Sequence, residues 1–131
     1  MIVLDTHAWI WFISNPDLLS KRAKEAATAA AKDKNIFISS ISAWELALLV
    51  SKNRLKLTID ATDWIAKSES LPFIQFVPVT NSIAVKSVNL PAPFHPDPAD
   101  RIIVATALSM GAPLVTKDKK LSGAGLVKTI W

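Results

Sequence analysis

Cysteine is absent from the chain, which rules out a disulfide framework and thiolate metal sites and makes the cytoplasm the expected compartment. Glycine occurs only at positions 111, 123 and 125, so there is neither a P-loop nor a dinucleotide-binding glycine motif. The two histidines, His7 and His95, stand apart from one another. They form no zinc pattern, and ordinary hydrogen bonding is their expected role. No uncharged stretch reaches the roughly 18 to 20 apolar residues of a membrane-spanning helix, because the most apolar ones are broken by Pro, Asn or Ser. Nor does a basic region followed by an apolar one open the chain, and Asp5 comes too early for a secretory signal. No membrane association is expected.

Half of the 131 residues are hydrophobic, and no linker-like segment interrupts them, so residues 1–131 are expected to form a single compact domain. Fifteen Lys and Arg against eleven Asp and Glu give a net charge of +4, a modest excess compatible with a polyanionic partner but not diagnostic of one. The placement of these charges says more. Lys52, Arg54 and Lys56 cluster after one candidate helix, Lys117, Lys119 and Lys120 surround Asp118, and Lys21, Arg22 and Lys24 open an early helix. Solvated faces are the plain reading of each cluster; two of them adjoin acids that draw attention for other reasons.

Short apolar runs alternate with helical segments along the chain. Strands are predicted at Ile2–Leu4, Ile36–Ser39, Ile74–Val79, Leu114–Thr116 and Leu126–Ile130, with Pro78 putting the end of the third at an edge or outside the ladder. Helices are predicted over Thr6–Ile13, from Ser20 to about Lys34, from Ser42 to Lys52, from Ala61 to about Leu71, from Thr80 to Val88, and from Pro98 to a stop at Gly111. The first has so little polar face that it is buried on two sides or covers a partner. Four prolines between Leu90 and Pro98 make a stiff, extended connection. The pattern predicts an α/β fold with a parallel sheet of about five strands and helices on both faces.

Three predicted strand ends deliver a carboxylate each: Asp5 after the first strand, Glu45 in the helix after the second, and Asp118 after the fourth. Asp97 and Asp100 stand at the mouth of the helix between. Each has a structural explanation when taken singly. Ser42-Ala43-Trp44-Glu45 and Asp97-Pro98-Ala99-Asp100 both match a capping box, Asp5 is a candidate cap for the first helix, and Asp118 fits an ordinary turn. Together they are harder to explain away. In an open parallel sheet, ligands bind at the carboxyl ends of the strands, and four anions gathered there repel: at ~4 Å a pair costs about 1 kcal/mol in bulk water and about 4 kcal/mol at an effective dielectric near 20. Protonation of some of the acids, or a divalent cation among them, relieves this. Oxygen donors without His or Cys select Mg²⁺ or Mn²⁺. A partly filled site of that kind keeps water and serves phosphodiester hydrolysis, with clustered Lys and Arg holding the flanking phosphates.

At these residues the sequence resembles the PIN-domain family, and within it the VapC-type toxins of toxin-antitoxin pairs. The matching stretches are IVLDTHAWIW, ISSISAWELALLVSKNRLKL, HPDPADRIIVATAL and LVTKDKKL, spread over nearly the whole chain in the family's order. The resemblance implies a three-layer αβα sandwich and a Mg²⁺- or Mn²⁺-dependent endoribonuclease that cuts single-stranded RNA. It further implies a homodimer held inactive by a cognate antitoxin protein. Carried over by motif, Asp5, Glu45, Asp100 and Asp118 become the metal-site and catalytic acids. Asp97 assists or only caps its helix, Thr6 and Thr116 hold the metal-site aspartates beside them by hydrogen bonds, and Arg101 enters a salt bridge. The loop after Asp118 has Lys119, Lys120 and Ser122 where some relatives carry a further acid, which counts against a second metal held wholly by protein. Two rival readings are a phosphoacceptor signalling domain, which wants adjacent acids near the first strand and an Asp after the third, and a catalytically silent RNA- or protein-binding module of the same fold.

Overall fold

The computed structural model of the protein describes residues 1–91 and 96–131. The expectations for Pro93 and His95 fall outside the described residues. Five strands, β1 (Ile2–Leu4), β2 (Ile36–Ser39), β3 (Ile74–Val77), β4 (Leu114–Val115) and β5 (Thr129–Ile130), form one sheet in the order β3-β2-β1-β4-β5. All four pairings are parallel. β1 lies in the middle, with Leu4 paired to Ile38 on one side and to Val115 on the other. All three β1 residues are buried, as a continuous apolar run covered on both faces requires.

Alternation along the strands sends side chains into two separate cores. Ile2, Leu4, Ile36, Ile38, Ile74 and Val115 pack with Ala8, Trp9 and Ile10 of α1 (Thr6–Ser14), the alanines of α2 (Lys21–Lys32) and Trp64 of α4 (Ala61–Glu69). On the other face Val3 and Leu114 meet Ile103, Val104 and Ala107 of α6 (Pro98–Met110) and Leu121 of α7 (Lys119–Ser122). A three-layer αβα sandwich results. Between the layers, α3 (Ser40–Ser51) gives Leu46 to the first core and Ile41 to the second. α5 (Asn81–Val88) packs along α6. Among the described residues no helix is long and apolar enough to cross a membrane.

The caps follow side-chain chemistry. Ser20, Asp60, Thr80 and Asp97 each accept a hydrogen bond from the amide three residues on, so the orphan donors at four helix starts are met locally. Several element bounds differ from expectation for physical reasons. α3 starts at Ser40, because β2 runs into it with no loop and Ser39 accepts from the Ile41 amide at 3.2 Å. β3 stops at Val77, before the donorless Pro78. β5 covers only Thr129–Ile130, as β4 offers only two residues to pair with; Leu126 and Val127 pack on the α6 core instead. Within the apolar first helix, Trp9 and Ile10 are core residues, whereas Trp11, Phe12 and Ile13 are only partly buried.

Candidate active site

The sheet order reverses at β1. β2 and β3 extend to one side and β4 and β5 to the other, so a crevice is expected beyond the carboxyl ends of β1 and β4. Asp5 comes directly after β1, and its amide donates to the Val115 carbonyl at 3.1 Å, continuing the pairing one residue past the ladder. Its carboxylate caps α1 by accepting from the Ala8 amide at 2.8 Å. Across the crevice, the Thr116 side chain favours the ionised form of Asp5, and its oxygen accepts from the Asp118 amide at 3.0 Å. Asp118 in turn caps α7, accepting from the Lys120 amide at 2.8 Å. Thr116 therefore ties the acid of one strand end to the acid of the next.

Glu45 enters from α3 and Asp100 from α6. Glu45 lies a turn and a half beyond the Ser39 cap, so the capping-box explanation for it does not hold. Ser42 is buried and hydrogen-bonded to Thr6 rather than capping. The Thr6 hydroxyl also meets the Glu45 carboxylate. Asp97 does cap α6, accepting from the Asp100 amide at 3.1 Å, and this sets the first turn from which Asp100 projects. A cleft of about 590 Å³ is lined by Asp5, Glu45, Asp100 and Asp118 together with Thr6 and Lys117. All four acids expected at the site thus share one space, while Asp97 lines a neighbouring cavity.

Burial and the gathered charge both act on these acids. Burial, reinforced by Asp97, Glu45, Asp118 and Asp5, pushes the Asp100 carboxyl up to about 7. Burial raises Asp5 as well, against the lowering effect of its hydrogen bonds to Thr116 and Ala8. Both shifts mark a place that disfavours anions unless something positive joins them. The donors are all carboxylate oxygens, the chemistry of a hard divalent ion. As the side chains stand, no group of three or more His, Asp or Glu among the described residues is arranged to hold a metal ion. One oxygen each of Asp5 and Asp118 accepts from a helix amide, and Glu45 meets Thr6.

Sequence reasoning passed over three further residues of the cleft: Trp11, Ile103 and, as a lining group, His7. The His7 ring lies 5.5 Å from the Trp11 ring, and the Lys117 ammonium sits 5.8 Å from the Trp11 centroid. The spacing of His7 and Trp11, four apart on a helix that begins beside Asp5, carried that signal. Arg101 faces elsewhere, donating to the carbonyls of Ser87 and Val88 at 2.9 and 3.1 Å and so binding the end of α5 to α6.

The model of the PIN domain family matches residues 2–125. This chain is a PIN domain. Among curated proteins, this PIN domain is similar to Ribonuclease VapC22 of Mycobacterium tuberculosis, at 37% identity over 120 residues that make up 92% of this chain and 88% of that protein. In fold it is similar to a chain in the crystal structure of VapBC2 from Rickettsia felis bound to a promoter DNA fragment, with TM-score 0.71, 20% identity, and 98% of this chain and 97% of that one covered. A toxin-antitoxin complex from Klebsiella pneumoniae gives TM-score 0.63 at 22% identity, covering 97% of this chain and 95% of that one. At that identity both show the PIN fold alone.

Proposed function

We propose that this PIN domain is a Mg²⁺- or Mn²⁺-dependent endoribonuclease that hydrolyses single-stranded RNA in the cytoplasm, as the toxin of a toxin-antitoxin pair. The observation that carries the proposal is the meeting of Asp5, Glu45, Asp100 and Asp118 in one cleft at the carboxyl edge of the sheet. The similarity to Ribonuclease VapC22 supports RNA as substrate. An antitoxin partner and a homodimer complete the reading, the former supported by the VapC kinship.

In this reading Asp5, Asp100 and Asp118 are the residues that would hold the ion. When bound, a hard divalent cation supplies charge neutralisation at the phosphoryl oxygens and Lewis acidity toward the attacking water. Glu45 accepts a hydrogen bond from that water and orients it, its own carboxylate being held by Thr6. Thr116 fixes the Asp118 backbone through its amide and favours the ionised form of Asp5. Lys117 and Lys119, which line the same cleft, bind the phosphates on either side of the scissile one.

The test is cleavage of an end-labelled single-stranded RNA by the purified protein with Mg²⁺ or Mn²⁺. Asp5→Ala and Asp100→Ala are each expected to abolish cutting. Asp100→Ala is expected to melt no lower than the parent, since removing one of several repelling anions does not destabilise, whereas Asp5→Ala also loses the α1 cap and is expected to give up about 0.5–2 kcal/mol while staying folded. Full metal-dependent activity in the double variant overturns the assignment.

A further inference from the structure

Beside the acidic cleft lies a second cavity, of about 290 Å³, between α3 and the first turn of α6. Glu45 lines both, so the two spaces meet at that side chain. Trp44, Leu48 and Lys52 recur every fourth residue down α3, which stacks them along one side of the groove. Pro98 of α6 and its cap Asp97 form the opposite wall. Trp44 is 56% exposed, whereas the other four tryptophans are buried or half-buried.

The far end of the groove is basic and its backbone is fixed. Asn53 adopts φ 55, a left-handed conformation that asparagine tolerates. The Arg54 amide donates to the Leu49 carbonyl at 2.9 Å and the Asn53 amide to the Val50 carbonyl at 3.1 Å, the two bonds of a Schellman closure. Lys52 and Arg54 are thereby presented together at the end of α3, and both line the cavity. From Glu45 to Lys52 is seven residues of helix, about 10 Å. An exposed indole with cations beyond it is the chemistry that receives an unpaired base and its phosphates. A strand whose phosphodiester lies among the four acids has to leave the cleft over a neighbouring surface, and this cavity shares a wall with it.

We propose that the groove is a nucleobase subsite for single-stranded RNA next to the bond that is cut, with Trp44 stacking on a base and Lys52 and Arg54 holding the adjoining phosphates. Its position relative to the cut rests on the ribonuclease reading; the binding of RNA there does not.

The test uses the intact chain and a fluorescein-labelled single-stranded oligoribonucleotide. Binding is read by anisotropy with Mn²⁺ in an Asp100→Asn background, so that the RNA stays whole, and cleavage is read separately without that change. Trp44→Ala is expected to weaken binding about tenfold, and Trp44→Phe to recover most of it. Replacing both Lys52 and Arg54 by Ala is expected to reduce the salt dependence of binding by about one to two phosphate contacts. Binding by Trp44→Ala equal to its parent overturns the subsite; if the protein still cuts RNA, the ribonuclease reading survives. RNA bound through Trp44 but never cut upholds the subsite and sinks that reading. No binding of RNA by the parent overturns the subsite. So does a Trp44→Ala variant that binds RNA normally and loses only a co-expressed antitoxin, which assigns the groove to protein.

Discussion

The hydroxyl of Thr6, the first residue of α1, is hydrogen-bonded to the carboxylate of Glu45, 39 residues further on in α3. Ser42, fully buried, lies 2.9 Å from the same hydroxyl. A hydroxyl has one proton, and an ionised carboxylate only accepts. Thr6 therefore gives its proton to Glu45 and takes one from Ser42. The residue next in sequence to one cleft acid thus sets the direction of another.

Thr6→Val keeps the shape and removes the donor. It leaves the buried Ser42 hydroxyl and the Glu45 carboxylate short of a partner, at an expected cost of about 1–3 kcal/mol in stability. Cleavage is expected to fall ~10-fold or more as Glu45 loses its orientation. Thr6→Ser restores the hydroxyl and most of both. Thermal melts and single-turnover cleavage of the three proteins check this; a Thr6→Val protein as active as its parent would show that Glu45 needs no help from Thr6.

Asp100 and Asp5 govern a pH dependence in the metal-free protein. With its carboxyl raised from 3.8 to about 7, Asp100 binds protons more readily folded than unfolded. Its stabilising contribution is whole below the lower value and is lost as pH rises through the higher one. Asp5 shifts in the same direction. Because Asp100 is only partly buried, screening leaves its share on the order of 1 kcal/mol. Asp100→Asn is expected to flatten that part of the slope. Mn²⁺ is expected to raise Tm more at about pH 8 than at about pH 5, because ionised acids bind it better. Melting curves across that range, with and without the ion, decide it; an equal rise at both ends removes these acids as the binding groups.

The features legible in the sequence were local ones. The apolar runs that became β1 and β2, and the caps at Ser20, Asp60, Thr80 and Asp97, depend on residues within a turn of each other. Asp5, Glu45 and Asp118 could be placed together because a parallel sheet gathers at one edge the residues that follow its strands, and Asp100 joined them from the mouth of the helix before β4. The Thr6–Ser42–Glu45 contacts were not legible, since they join two helices across the crevice. Ser42 and Glu45 have capping-box spacing, and only the loopless entry of β2 into α3 at Ser39 shows that they do something else. The length of β5 was set by its partner β4. α7, four residues long, is too short to leave a periodic trace.

Trp9 anchors the core under α1. It has no exposed surface, its indole nitrogen donates to the Ser68 hydroxyl at 3.3 Å, and its ring lies 5.1 Å from that of Trp64 and 5.4 Å from that of Phe76. Trp9→Ala is expected to cost about 3–5 kcal/mol. Trp9→Phe keeps much of the packing and strands the buried Ser68 hydroxyl, for about 1–3 kcal/mol. Urea unfolding measures both. A Trp9→Phe protein as stable as its parent would mean that Ser68 finds another partner.

Gly111 closes α6, the helix that brings Asp100 to the cleft, at φ 62. The Ala112 amide then bonds to the Ala107 carbonyl at 3.0 Å, and the Pro113 carbonyl accepts from Val3 at 2.9 Å, so the turn passes the chain straight into β4. A Cβ added at Gly111 would meet nothing within 4 Å. The cost of Gly111→Ala is therefore conformational alone, about 1–2 kcal/mol for a left-handed alanine, and Gly111→Asn should cost less because its short polar side chain tolerates that region. Neither change reaches the acids, so RNA cleavage well below Tm is expected to match the parent while Tm falls in the order Gly, Asn, Ala. Lost cleavage with an unchanged Tm would mean that the turn controls the spacing of Asp100 and Asp118 rather than only ending the helix.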